Sequence, residues 1–413
     1  MSAPAPVWRA FALSTVLVIA VAIFAHAVFP AVEPPAPGDP RLTEPFGAVA
    51  DGIFSPLAQF DAAWYLNIAE HGYGAPALPG STGETYAFFP LYPLLVRTLA
   101  LGGGPGPQLV AAYVLSLACF LGALALLRRL VALDDGPRVA DAAVLLLALS
   151  PAAAFFVAPY TESLFLLLSV GAFHAARTDR WAWAGILLAG ASATKSGGVV
   201  VGLAVALLYL YGPRTGPARS RPPSARRVDL RPRFPARRDA LWLLLAPVGM
   251  LAFTVFLEVE HGEGLRWLRA QEEWNRHLVA PFWGAVQGVV SGVEGLFNLL
   301  TGATEEIRFT TPLHPIVLLA FLVAGAIGTV GVLRELPAAY GVYVVISLAL
   351  PLSSPTHGEP LMSLPRFLVV LFPLFWWMAR AVERRGALGR ALAISAGLLV
   401  FFTTQIAVGA WFA

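Results

Sequence analysis

Three side chains able to take or give a proton fall within eleven positions of one polar, aromatic-rich stretch. They are Asp61, Glu70 and His71, in QFDAAWYLNIAEHGYGAPALPGSTGETYAFFPLYP, residues 59–93. The spacing predicts a helix over DAAWYLNIAEH that Gly72 closes as a left-handed cap. On a helical wheel Asp61, Trp64, Tyr65 and Ile68 share one face, while Glu70 lies opposite Asp61. Asp61 is then either a general base that accepts a hydroxyl proton or the N-cap of this helix, worth about 0.5–2 kcal/mol. Glu70 and His71 are either acid/base partners or solvated groups at the helix end.

Further groups of the same kind lie downstream. In SPAAAFFVAPYTESLFLLLS, Tyr160, Thr161 and Glu162 sit at the boundary of an apolar run, where an acid is costly unless it faces the bundle interior or water. Thr161 there doubles as a possible cap. The one lysine of the chain, Lys195 in SATKSGG, is a cation at membrane depth suited to a phosphate or to pairing with Glu162. Gln271, Trp274 and Arg276 occur together in LRAQEEWNRHLVAPFW, and Arg366 opens the run SLPRFLVVLFP. A guanidinium in that position either clamps a phosphate through two N–H groups or anchors the chain at the interface.

Other chemistries lack their motifs. There is no Walker-type phosphate loop, no HExxH and no dinucleotide fingerprint, and GGGPGP at 102–107 lacks the strand and helix a phosphate loop needs. The single cysteine, Cys119, lies within an apolar run, so no intramolecular disulfide forms, and no His/Cys/Asp spacing makes a metal site. Neither a metal nor a cofactor is expected.

The elements that must hold these groups are apolar. Of 413 residues 57% are hydrophobic and 13% charged, with mean hydropathy +0.70; a soluble domain carries about 25% charged residues. Apolar runs of about 20 residues, the length that crosses a ~30 Å hydrocarbon layer, recur along the chain and make it an all-α polytopic membrane protein. Eleven spans are expected, at 10–29, 108–133, 139–158, 161–177, 181–194, 197–212, 240–257, 313–333, 338–352, 366–380 and 391–411. The run after Arg9 reads as an uncleaved first span, although Ala25-His26-Ala27 has the pattern of a signal-peptidase site.

With the amino terminus cytoplasmic, inner segments hold 20 of the 28 basic residues, nine of them arginines in a loop at 213–238. That loop reads as a disordered topogenic segment near anionic lipid, with a headgroup or nucleic-acid patch as the alternative. The outer side carries a first loop over 30–104, proline-rich at its start and with amphipathic or re-entrant helices after it. A second outer loop covers 258–312. The whole, residues 1–413, is read as one membrane domain, with membrane lipids as its surroundings and no nucleic-acid partner.

FDAAWYLNIAEHGY followed by YAFFPLYPLL resembles the phosphatidylinositol-glycan class V (PIG-V) mannosyltransferase family, which includes GPI mannosyltransferase 2, and its bacterial relatives. SPAAAFFVAPYTESLF, AQEEWNRHLVAP and LPRFLVVLFPLF are similar too, and the matches keep the family's order over residues 59–375. The resemblance implies a GT-C glycosyltransferase fold with a large first outer loop and an extracytoplasmic site in the cell membrane. It implies mannose transfer, with inversion, from a polyprenyl-phosphate (dolichyl-phosphate-like) donor to a lipid or glycan acceptor.

By position and motif the resemblance makes Asp61 the base, with Arg366 and Lys195, and Arg276 behind them, stabilising the departing phosphate. Glu70, His71, Tyr160, Glu162, Gln271 and Trp274 fill out the substrate-binding set, and the FFPLYP run forms a wall beside the donor. Transport of a lipid-linked sugar is the alternative. It would use the same cations without a catalytic acid, but would need charged groups along the whole pathway.

Overall fold

Among the residues described in the computed structural model (5–31, 39–75, 78, 84–214, 232–303 and 313–411) every regular element is helical. Helix α1 (Ala5–Val28) precedes a first loop holding α2 (Pro40–Thr43), α3 (Ala48–Phe54), α4 (Asp61–His71) and α5 (Leu91–Leu99). The bundle continues with α6 (Pro105–Ala148), α7 (Ala154–Val157), α8 (Glu162–Arg177), α9 (Trp181–Thr194) and α10 (Gly198–Tyr211). After a 3-10 segment at Arg238–Leu245 come α11 (Val248–His261), α12 (Arg266–Glu273) and α13 (Trp283–Thr301). Helices α14 (Leu313–Glu335), α15 (Ala338–Leu352), α16 (Leu364–Val369), α17 (Phe372–Arg384) and α18 (Leu388–Ala407) complete the chain. Most of the nine-arginine loop, residues 215–231, lies outside the described residues.

The chain is a multi-pass membrane protein. Helices α1, α6, α14 and α18 are long and apolar enough to cross a membrane, and the 3-10 segment with α11, bent by 45°, makes a fifth crossing if taken as one span. Three further expected spans, α9, α10 and α15, are helices of 14, 14 and 15 residues. At 1.5 Å rise per residue they are about 21–23 Å long, shorter than a ~30 Å hydrocarbon layer.

Three expectations are revised. The spans at 108–133 and 139–158 are two helices, as expected, meeting within α6 at Gly136 (φ 73°, ψ −178°) next to Pro137; the end of the second one is what is revised. Only glycine takes that conformation at little cost. The run ends at Ala148, and the short α7 follows. The span at 366–380 is two helices, because Pro373 in the first turn of α17 lacks an N–H and its ring collides with the carbonyl four residues back, ending α16 at Val369. The segment at 258–312, expected as a second outer loop, holds a 19-residue helix, α13, whose Gly284, Gly288, Gly292 and Gly295 are buried while Val286, Val290, Val293 and Phe297 stay exposed. Small residues four apart let α13 lie close against α14, as at Gly292 over Leu319.

In the core α8 packs against α6 and α9, and α17 and α1 flank α6. Phe173 stacks on Tyr340 (5.0 Å) and meets Phe372 edge-on (5.2 Å), joining α8, α15 and α17. At the end of α8 remote from Glu162, the break in α6 lets two adjacent acids reach different helices. Asp134 accepts two hydrogen bonds from Arg177 (2.6 and 2.8 Å), and Asp135 accepts from Arg380 Nε and Trp376 Nε1 (both 2.5 Å). These charges are consumed in tying α6 to α8 and α17, which fixes the frame that presents Glu162 at the other end of α8.

Candidate active site

Four charged side chains from four separate segments meet at the first turn of α4. Arg366 Nη1 donates to Asp61 Oδ2 at 2.6 Å, and Arg366 Nε lies 3.1 Å from Glu162 Oε1. Lys195 Nζ donates to that same Glu162 oxygen at 2.6 Å. The order is acid, base, acid, base, so the cluster is neutral overall. Burial differs along it: Glu162 is fully buried, Arg366 nearly so, and the Asp61 side chain keeps 21% of its surface.

Local sequence explains each placement. Asp61 is the first helical residue of α4; Phe60 holds the capping position at φ 57°, and no side chain caps the helix. The Asp61 carboxylate therefore goes to Arg366 and the capping alternative does not apply. Arg366 likewise follows a left-handed, non-glycine residue, Ser363 (φ 69°), which starts α16. Such residues cost about 1–3 kcal/mol and persist only where their surroundings fix them. Phe60 is held by Trp411, 4.7 Å between ring centres. Glu162 opens α8, and Lys195 sits in the extended link between α9 and α10.

Aromatic rings enclose the cations. The Arg366 guanidinium lies 5.5–5.8 Å from the rings of Tyr160, Trp411 and Phe155, and Lys195 lies 5.9 Å from Phe165. Tyr160 is anchored by its hydroxyl on the carbonyl of Gln59 (2.6 Å), two residues before Asp61. The Tyr65 hydroxyl pairs with Thr161 at 3.3 Å. Burial, with Asp61 and Glu162 nearby, holds its phenol well above the usual range, so it stays neutral.

The segment that follows α12 lies across this cluster. Trp274 meets Trp64 and Phe88 edge-on, at 5.3 and 5.8 Å, and Trp64 stacks on Phe88. The FFPLYP run thus packs α4 from behind, with the Tyr92 hydroxyl on Ser116 (3.0 Å). Arg276 lies 5.8 Å from the ring of Phe367 and reaches the carbonyls of Ser354 and Met362 at 3.4 Å. None of its described contacts is to a carboxylate. Burial first, then the nearby charge of Arg366, push it down to about 10, against the pull of Asp61, so it remains a cation at neutral pH. Gln271 contributes through its backbone carbonyl, which accepts the N–H groups of Trp274 (3.1 Å) and Arg276 (3.0 Å).

The structure thus gathers Asp61, Tyr160, Glu162, Lys195 and Arg366, with Trp274 and Arg276 beside them. It does not bring Glu70 and His71 there. They lie about 14 Å along α4 from Asp61, with Glu70 bonded to Gln108 and His71 exposed. Asp51 is also occupied elsewhere, accepting the N–H groups of Phe46 (3.0 Å) and Gly47 (2.6 Å). Tyr65, Phe155 and Trp411 also border the cluster, and the sequence analysis does not single them out. Tyr65 shares the wheel face of Asp61 and was legible; Trp411, in the last apolar run, gave no signal.

Beneath the loop that leads to Arg366 is an apolar cavity of about 300 Å³. Its walls include Leu322, Gly325 and Ala326 of α14, Leu348 of α15, and Leu364 and Leu368 of α16. Leu364 and Leu368 stand two positions either side of Arg366, on the opposite face of α16. One face of that short helix meets Asp61 and the other lines the cavity. The Thr329 hydroxyl in the wall is spent on the Gly325 carbonyl (2.7 Å).

Residues 7–208, just under half of the chain, match the family model Mannosyltransferase (PIG-V). The chain is 34% identical over 177 residues to the GPI alpha-1,6-mannosyltransferase 2 of Rattus norvegicus, covering 39% of this chain and 34% of that protein. It is 33% identical over 204 residues to the Homo sapiens protein of the same name, covering 46% and 40%. The chain thus matches between a third and a half of the length of these curated relatives. The archaeal oligosaccharyltransferase AglB from Archaeoglobus fulgidus, in complex with an inhibitory peptide and a dolichol-phosphate, superposes with a TM-score of 0.44 at 12% identity, over 98% of this chain and 56% of that one.

Proposed function

We propose that this PIG-V-like chain is an inverting mannosyltransferase of GT-C type that uses a polyprenyl-phosphate mannose donor at the extracytoplasmic face of the cell membrane. The observation that carries the proposal is the direct contact between a reachable carboxylate, Asp61, and a buried arginine, Arg366. Transfer to a hydroxyl needs both, side by side: an acceptor for the proton and positive charge for the leaving phosphate.

Asp61 takes the proton of the acceptor hydroxyl as its oxygen attacks the anomeric carbon. The bond from that carbon to the phosphate oxygen breaks with its electron pair, and polyprenyl phosphate departs as an anion. Attack opposite the leaving group inverts the configuration. Asp61 suits the role better than the acids near it, because Glu162 is fully buried between two cations and Asp51 is bonded to backbone.

Among the cations, Arg276 is the one without a carboxylate contact among the described residues, whereas Arg366 has two acids and Lys195 has Glu162. Arg276 is accordingly assigned the phosphate, with Arg366 holding Asp61 and following the charge as it develops. The apolar cavity against α16, on the face opposite Arg366, has the character needed for the donor's hydrocarbon chain. The acceptor, a membrane lipid or a glycan, approaches from the water-exposed side of Asp61.

The test is an assay of the purified protein in lipid nanodiscs with radiolabelled polyprenyl-phosphate mannose and a membrane lipid extract. A labelled, α- or β-assigned product of inverted configuration is expected. No product from this donor, with product from another polyprenyl-phosphate sugar, would overturn the choice of mannose; no product from any would overturn the transferase assignment.

A further inference from the structure

Helix α12 crosses from the first outer loop to the segment before Arg366, and both of its ends are fastened. At its start Arg266 makes two hydrogen bonds to Glu84, Nε at 3.0 Å and Nη2 at 2.7 Å, with its guanidinium over the Tyr86 ring at 4.1 Å. Beyond its end, Trp274 abuts Trp64 and the chain turns through Asn275 (φ 54°) to Arg276. There the backbone pairs with the 353–363 segment: Arg276 bridges Thr356, His357 N–H donates to Asn275 (3.1 Å) and Val279 N–H to Ser353 (2.8 Å). The outer side of 277–280 is exposed. The whole forms an arch over Asp61.

The two fastenings refer to the same element. Glu84 and Tyr86 lead into Phe88, which stacks on Trp64, three residues from Asp61 on α4. Between the ends, Trp267 lies against Phe89 (5.5 Å) and donates Nε1 to Thr254 of α11 (3.1 Å), a single-point bond about which the helix can still roll, and Ala270 is buried. Apolar contact is non-directional and allows a helix to slide or roll. A two-point arginine–carboxylate contact fixes direction as well as distance.

We propose that Arg266 is a positioning residue: its pair with Glu84 sets the register of α12 and thereby holds Arg276 and Trp274 over Asp61. The pair touches neither of them and acts only through the arch. The kinetic consequence rests on the transferase function proposed above; the mechanical one does not.

The test combines kinetics with hydrogen exchange on the full-length protein in nanodiscs. Arg266→Gln raises KM for polyprenyl-phosphate mannose roughly three- to tenfold, a typical coupling between side chains acting through one another, and changes kcat by less than about twofold. Because Arg266 acts through Arg276, the double variant Arg266→Gln/Arg276→Gln is no worse than Arg276→Gln alone. The exchanged pair Arg266→Glu with Glu84→Arg recovers most of the lost KM. Amides of 274–279 lose protection in Arg266→Gln and regain it in the exchanged pair, a readout that needs no turnover.

An unchanged KM, effects that multiply in the double variant, or unaltered protection at 274–279 would each overturn the positioning role. If the wild-type protein transfers nothing from this donor, the function fails while the exchange measurement still decides the arch.

Discussion

Arg366 binds Asp61 at 2.6 Å across 305 positions of sequence, through a single guanidinium nitrogen, and keeps its Nε turned toward Glu162 at 3.1 Å. The arginine therefore stands between an acid with access to solvent and an acid with none. That asymmetry separates their roles. A proton can reach and leave Asp61, whereas Glu162 serves the charge balance of Arg366 and Lys195.

Asp61→Asn keeps size and the contact to Arg366 but cannot take a proton. Transfer is expected to fall by about 10²–10⁴-fold, the usual contribution of a positioned general base, with donor KM little changed and normal membrane insertion. Single-turnover transfer from labelled donor checks this. Near-wild-type rates would remove Asp61 from the chemistry.

Glu162→Gln should act on the fold before it acts on the reaction. The substitution leaves Lys195 without its acid partner and Arg366 with only Asp61, and breaking a buried pair by deleting one partner costs about 3–5 kcal/mol. The expected result is a much lower unfolding temperature in detergent, with Glu162→Gln/Lys195→Met recovering part of it. Equal stability of Glu162→Gln and wild type would contradict the charge-balancing role.

Much of this arrangement could be read from the sequence, for identifiable reasons. Helix α15 matches its expected range because an apolar run is bounded by Pro337 and the Pro351-Leu352-Ser353 stop. The break between the two expected inner-end spans falls at the Gly136-Pro137 pair, within the polar gap. Helix α13 stayed hidden because glycine costs about 1 kcal/mol in a helix and Gln287, Glu294 and Asn298 interrupt its apolar pattern; its close packing on α14 overrides both. The Asp61–Arg366 contact has no local signature at all, since periodicity reports faces of one element and not which distant faces meet. The sequence ranks Lys195 ahead of Arg276 for the phosphate, with pairing to Glu162 as its alternative; the 2.6 Å contact of Lys195 with Glu162 reverses that order.

That difference leads to a prediction for Arg276. A buried guanidinium without a carboxylate gains most from a phosphate, and a hydrogen bond to a charged group contributes about 1.5–3 kcal/mol. Arg276→Gln should therefore raise donor KM roughly 10- to 100-fold. Lys195→Met should affect stability more than KM, because its partner is Glu162. Saturation curves for the donor in both variants decide the order; a larger KM effect from Lys195→Met would exchange their roles.

The cavity beside α16 makes a separate prediction about the donor's chain. Its walls bear no free polar group among the residues named, and Gly325 and Ala326 keep it open: a Cβ on Gly325 would already lie 2.8 Å from Leu368. Ala326→Phe fills the space with a ring while leaving Arg276 and Arg366 in place. A chain excluded from that volume forfeits apolar burial worth about 25 cal/mol per Å², whereas a donor too short to enter forfeits nothing. The variant should raise KM for long-chain polyprenyl-phosphate mannose severalfold and leave that for a short citronellyl analogue unchanged, as measured in mixed micelles where both donors disperse equally. A matching loss for both donors would show that the ring disturbs α16 itself, and no loss for either would place the chain elsewhere.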